Sequence, residues 1–175
     1  MDFESLYRAH YDFVWRMLRR LGVRERHAED ACQVVFLTAY RRISDFESRS
    51  SFRTWLGGIA LRVASDHRRS AKIRHERLFE SIAEDAPAPH DPHQLLEQRE
   101  RLEELDLVLS QLPPPQLTVL VLHDFERFSG EEIARMVDAP LGTVRSRLRL
   151  ARQAFSHILS ERRSVNQRIA AGGEP

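Results

Sequence analysis

The sequence predicts an all-α protein: two small helical domains joined by a flexible linker, the second containing a helix-turn-helix. Three observations predict it. Apolar residues recur at i, i+3, i+4 and i+7 through both halves of the 175-residue chain, the spacing of a helix face. Between the halves runs Ala86-Pro87-Ala88-Pro89-His90-Asp91-Pro92, rich in proline and poor in apolar side chains. Near the end, Ser129 to Arg152 reads as a capped helix, a Pro/Gly turn and a second helix loaded with arginine.

The elements follow in order. Phe3, Leu6, Tyr7, His10, Phe13, Val14, Met17, Leu18 and Leu21 mark a first helix, which Gly22 stops. Ala28, Ala31, Cys32, Val35, Phe36, Ala39 and Ile43 form the stripe of a second. A polar loop from Ser44 to Ser51 follows, and Ser50 or Ser51 caps a third helix bearing Phe52, Trp55, Leu56, Ile59, Val63 and Ala64. Gly57-Gly58 within it predicts local softness or a close packing contact. Past the linker, Leu95 to Leu112 is a fourth helix. Pro113-Pro114-Pro115 ends it and opens a fifth, running from Gln116 to Arg127.

Ser129 and Glu132 make a capping box that starts a sixth helix, with Ile133, Ala134 and Val137 on its inner edge. Asp138 to Gly142 breaks it. From Thr143 a seventh helix buries Val144, Leu148, Ala151, Phe155 and Ile158 and turns Arg145, Ser146, Arg149 and Gln153 outward. The expected boundaries are 1–76 for the first domain, 77–94 for the linker, 95–162 for the second domain and 163–175 for a flexible tail.

Net charge is only +1 overall, but it is blocked: +6 over residues 41–75, −10 over 80–132 and +6 over 133–168. Two basic segments, each ending a helical module, suggest two contacts with nucleic acid. Arginine on the outer face of a second helix suits the major groove, where guanine offers O6 and N7 together. On that geometry Arg145, Ser146 and Arg149 are the groove-facing candidates, while Arg147 and Arg152, nearer the buried stripe, suit phosphates. In the first domain Arg53, Arg62, Arg68 and Arg69 place positive charge along the third helix. Trp55 lies on an apolar stripe and reads as a core anchor.

The single cysteine, Cys32, forms no internal disulfide and reads as a small core residue. The eight histidines are scattered without ligand spacing, and no triad or phosphate-binding Gly loop is present. No metal, cofactor or catalytic residue is therefore expected, nor an enzyme. With no membrane-length apolar run and no secretory leader evident, a cytoplasmic location without membrane insertion is expected.

Four stretches carry a resemblance to a known family: Ala28-Glu29-Asp30-Ala31-Cys32-Gln33-Val34-Val35-Phe36-Leu37, Ser51-Phe52-Arg53-Thr54-Trp55-Leu56, Leu112-Pro113-Pro114-Pro115-Gln116 and Gly142-Thr143-Val144-Arg145-Ser146-Arg147-Leu148. In this order and at these separations they resemble the bacterial RNA polymerase sigma factors of the compact extracytoplasmic-function class. The resemblance implies a dissociable subunit that binds core RNA polymerase, at its β′ clamp helices and β flap, and recognises promoter DNA. An anti-sigma factor is a further partner it suggests.

Carried over by position, Asp30, Gln33, Phe36 and Tyr40 would touch polymerase. Ser48, Arg49, Ser51, Arg53, Arg62, Asp66 and Arg69 would meet the melted −10 strand, the loop before the third helix cradling a flipped base. Thr143, Arg145, Ser146, Arg147, Arg149 and Arg152 would meet the −35 duplex. The chain departs from the family pattern at Val34, Gly57-Gly58, Arg62 and Leu150. The competing reading is a stand-alone helix-turn-helix regulator needing no polymerase, and a third is an adaptor that binds protein only. The first two family stretches argue against the former, the two basic blocks against the latter.

Overall fold

The computed structural model describes residues 2–47, 50–77 and 104–170, which are helical with no strand among them. Packing divides the chain into two units, Met1–Glu104 and Leu105–Pro175.

In the first unit α1 spans Phe3–Arg20, α2 Glu25–Arg41 and α3 Phe52–Arg77, with a 3-10 turn at Ile43–Asp45. Asp2 caps α1 by accepting the backbone N–H groups of Glu4 and Ser5, both at 3.2 Å. Gly22 ends the helix region with φ +91°, a conformation that costs glycine nothing. The stripes meet as their spacing requires: Val14, Met17 and Leu18 of α1, Ala28, Cys32, Val35 and Ala39 of α2, and Leu56, Ala60 and Ala64 of α3 are buried together in the core. Each large aliphatic side chain so buried contributes about 1.5–3 kcal/mol relative to exposure. Arg68 of α3 donates to the Leu21 carbonyl at 2.5 Å, satisfying an acceptor at the end of α1.

α3 runs through Gly57-Gly58 without a break, and a Cβ built on Gly58 meets nothing within 4 Å. Close packing is therefore not what Gly58 serves. Gly58→Ala is expected to raise the stability of this unit by about 0.5–1 kcal/mol, read from thermal unfolding, because alanine removes backbone freedom from the unfolded chain. Cys32 is fully buried, and desolvation, helped by nearby Glu29, pushes its thiol up to about 11. Little thiolate then exists at neutral pH. Alkylation of Cys32 is expected only as the unit unfolds; prompt labelling of the native chain would contradict its core role.

In the second unit α4 is described over residues 104–110, followed by α5 (Pro114–Leu120), α6 (Gly130–Met136) and α7 (Leu141–Ala170). Val108, Leu109 and Leu112 join Leu117, Leu122, Ile133, Val144, Leu148 and Ala151 in its core. Pro114 occupies the first turn of α5, where a missing N–H costs nothing.

The structure corrects four expectations. The fifth helix does not run evenly to Arg127: α5 stops at Leu120 and gives way to a π-helical turn, Val121–Phe125, closed by Glu126 N–H to Val121 O at 3.0 Å. Arg127 then takes φ +62°. The turn before the last helix is shorter than expected, because Leu141 and Gly142 already belong to α7, whose first bonds reach back to the Pro140 carbonyl. Residues 163–170 are helical rather than a loose tail, since α7 continues to Ala170. Ala134, Val137, Phe155 and Ile158 are half-buried rather than core. The expected linker, 77–94, lies outside the described residues apart from its first residue, which closes α3; the start of the fourth helix lies outside them too.

Candidate nucleic-acid interface

α7 is held by its predecessor. Ser129 Oγ accepts the Glu132 N–H at 3.2 Å, and the Glu132 carboxylate accepts the Ser129 N–H at 2.8 Å. This reciprocal cap fixes where α6 starts, and α6 packs on α7. Asp138, φ +48°, reverses the chain between them, a conformation aspartate tolerates better than most residues.

On α7, Val144, Leu148 and Ala151 are buried, while Arg145, Ser146 and Arg149 are exposed on the other side and Thr143 and Arg147 are half-buried. Arg149 donates to Gln153 at 3.1 Å, so its fork is pre-set on the outer face. Arg145 and Arg147 make no side-chain bond to a described residue. Leu150, apolar but 40% exposed, sits among them.

Arg152, expected at a phosphate, is engaged within its own unit. Its guanidinium grips Asp124 of the π turn at two points, Nε to Oδ2 at 2.8 Å and a terminal nitrogen to Oδ1. His123 Nδ1 lies 2.7 Å from the same Oδ1. Arg152, then His123, hold the Asp124 carboxyl below the usual carboxylate range despite its partial burial.

In the first unit, Arg62, Asp66 and Arg69 are exposed at i, i+4 and i+7, a single face of α3. Arg53 is not on it. Half-buried, it lies with its guanidinium carbon 4.1 Å from the centre of the Phe13 ring. Ser51 is the cap of α3: its Oγ accepts the Thr54 N–H at 3.0 Å and lies 2.8 Å from the Thr54 hydroxyl. Ser51 is thus engaged in the cap and Arg53 against the α1 ring. Ser48 and Arg49 lie outside the described residues.

Phe46, Phe52 and Trp55 form a half-buried aromatic triangle with centroids 5.5–5.6 Å apart. Trp55 is thus anchored, as expected, although not wholly enclosed. His10 joins Phe52 at 5.3 Å, and burial, reinforced by the Arg53 cation, pushes it below the usual imidazole range.

A third surface lies on α2. Asp30 and Gln33 are exposed and share their face with Val34 and Leu37, 49% and 55% exposed, and with Tyr40 at 61%. Val34 and Leu37 were not among the expected contacts. Their positions, i+4 and i+7 from Asp30, opposite the core stripe, carried the signal. Phe36 is a correction: it is 3% exposed, its ring packed on Tyr7 and Tyr11 at 4.6 and 6.4 Å. It falls one turn from Cys32 on the core stripe, so it supports the α2 face from beneath and cannot form part of it.

Among the described residues no helix is long and apolar enough to cross a membrane. Residues 6–73 match the family model Sigma-70 region 2, and residues 102–155 match Sigma-70, region 4. The "ECF RNA polymerase sigma factor SigE" of Mycolicibacterium smegmatis is 32% identical over 97% of this chain, which spans 66% of that relative's length. The "RNA polymerase sigma-H factor" of Pseudomonas aeruginosa is 36% identical over 77% of this chain and 74% of its own. The fold is also that of the Bartonella quintana sigma factor RpoE, solved in complex with the anti-sigma factor NepR: TM-score 0.70 at 21% identity, over 91% of this chain and 97% of that one. The chain belongs to the extracytoplasmic-function class of bacterial RNA polymerase sigma factors, DNA-binding factors of transcription initiation.

Proposed function

We propose that this chain divides promoter recognition among three surfaces. The exposed face of α2, with Asp30, Gln33, Val34, Leu37 and Tyr40, docks on the β′ clamp helices of core polymerase. The outer face of α3, with Arg62, Asp66 and Arg69, meets the opened −10 strand beside the loop that Ser51 fixes. The outer face of α7, with Thr143, Arg145, Ser146, Arg147 and Arg149, reads the −35 duplex, and the β flap is the second polymerase contact. The observation that carries the reading is the outer face of α7: exposed arginine opposite a buried apolar stripe, on a helix packed against the capped α6.

The chain performs no catalysis of its own and works in the cytoplasm. An anti-sigma factor is a fitting partner. The solved RpoE is bound to one, and the exposed Val34, Leu37 and Tyr40 here offer apolar surface for a competitor of polymerase.

Run-off transcription with purified core polymerase tests the reading. Specific transcripts should require both chain and core. A chain that binds duplex specifically by itself, with no transcript dependent on it, would favour the stand-alone regulator.

The residues on α7 are expected to differ in kind. Arg149→Ala should cost roughly 1–3 kcal/mol and relax preference at one upstream base pair. Arg147→Ala should weaken all sequences about equally and lower the salt slope by about one. Binding across a library of upstream elements at several salt concentrations separates the two; the opposite pattern would exchange their roles.

A further inference from the structure

Asp124 and Arg152 stand 28 residues apart and are joined by two hydrogen bonds across the second unit. A carboxylate and a guanidinium matched in this way are fixed in angle as well as distance. The pair joins two elements of different character. Arg152 lies on α7 at i+3 from Arg149 and i+7 from Arg145, on the flank that presents both outward. Asp124 lies in the π turn, which holds one residue more than an α turn and so sets its side chains off the register of α5. His123 of the same turn touches both members, 2.7 Å from Asp124 and 3.2 Å from Arg152. An arginine already neutralised by its own carboxylate adds little attraction for a phosphate.

We propose that Asp124 is a positioning residue for promoter reading: its two-point bond to Arg152 sets how α7 sits on the π turn, and so the rotation at which Arg145, Ser146 and Arg149 enter the groove. This rests on the sigma-factor reading above and adds a residue that touches neither DNA nor polymerase.

The test uses holoenzyme assembled from core polymerase and the full chain, on a promoter fragment selected from random DNA by the wild type. Two quantities are read: the preference for that fragment over one with a scrambled upstream element, and the slope of log affinity against log salt. Asp124→Asn and Arg152→Gln should each lower the preference about three- to ten-fold. The double variant should be no worse than either single, because the two act as one unit. Arg152→Lys, which keeps the charge and loses the two-point geometry, should recover only part. The salt slope should not change in any of them.

A slope lower by about one for Arg152→Gln would place Arg152 on a phosphate and overturn the proposal. So would an unchanged preference in Asp124→Asn, or a loss no larger than the unfolded fraction of the second unit measured in parallel. If the wild-type holoenzyme shows no preference for the intact element, the promoter-reading assignment of α7 fails instead. Wild-type preference with unmoved variants removes only the role of Asp124.

Discussion

Ile133→Ala is expected to collapse promoter reading while leaving polymerase binding by the first unit in place. Ile133 is fully buried and is the core residue of α6, a helix of seven residues too short to persist without packing. Truncating a buried isoleucine costs about 2–5 kcal/mol, the lost transfer energy plus the cavity left behind. A small domain is stable by about 0.05–0.15 kcal/mol per residue, so this change removes much of what holds the second unit together. With α6 loosened, α7 loses the element that seats it, and Arg145, Ser146 and Arg149 are no longer presented together.

Denaturant unfolding followed by a probe in each unit should show the second transition moved sharply down and the first unmoved. Capture by core polymerase should persist through α2, while preference for the upstream element disappears. A single shared transition would mean that the two units stabilise one another and are not energetically separate.

Most helices were legible because burial imposes a period. Val14, Met17 and Leu18, or Val144, Leu148 and Ala151, are predictable as core from spacing alone, and the structure buries all six. The capping box at Ser129 was legible for a similar reason: both its bonds are local, within three residues.

What escaped the sequence was either non-local or a departure of one residue. The π turn at Val121–Phe125 leaves no mark in the sequence, because one extra residue shifts the phase of a stripe too short to show it. The Asp124–Arg152 bond spans two elements whose docking angle no periodicity encodes, so Arg152 read as a phosphate contact. Phe36 shows a different failure. A family motif marks it as part of a contact segment, but the segment is a helix with two sides, and position relative to Cys32 and Val35 decides which side it occupies. The same logic, run in reverse, finds Val34 and Leu37.

That exposed face supports the second large effect, in the double variant Asp30→Ala, Gln33→Ala. Both side chains are exposed, and neither makes a hydrogen bond to a described residue, so their removal should leave the melting of the first unit almost unchanged. At a polymerase interface the two would exchange water for partners. Hydrogen bonds to charged groups contribute about 1.5–3 kcal/mol each, and the Gln33 amide contributes about 0.5–1.5 kcal/mol. Together the loss approaches a hundred-fold or more in affinity for core polymerase.

Val34 and Leu37 flank the pair and exclude water from it, so Leu37→Ala should deepen the loss while Phe36, beneath the face, stays untouched. Equilibrium binding of labelled chain to core polymerase measures the effect, with unfolding curves as the control for fold. Unchanged affinity in a folded double variant would move the clamp contact off this face of α2, and the exposed apolar residues beside it would then need another partner.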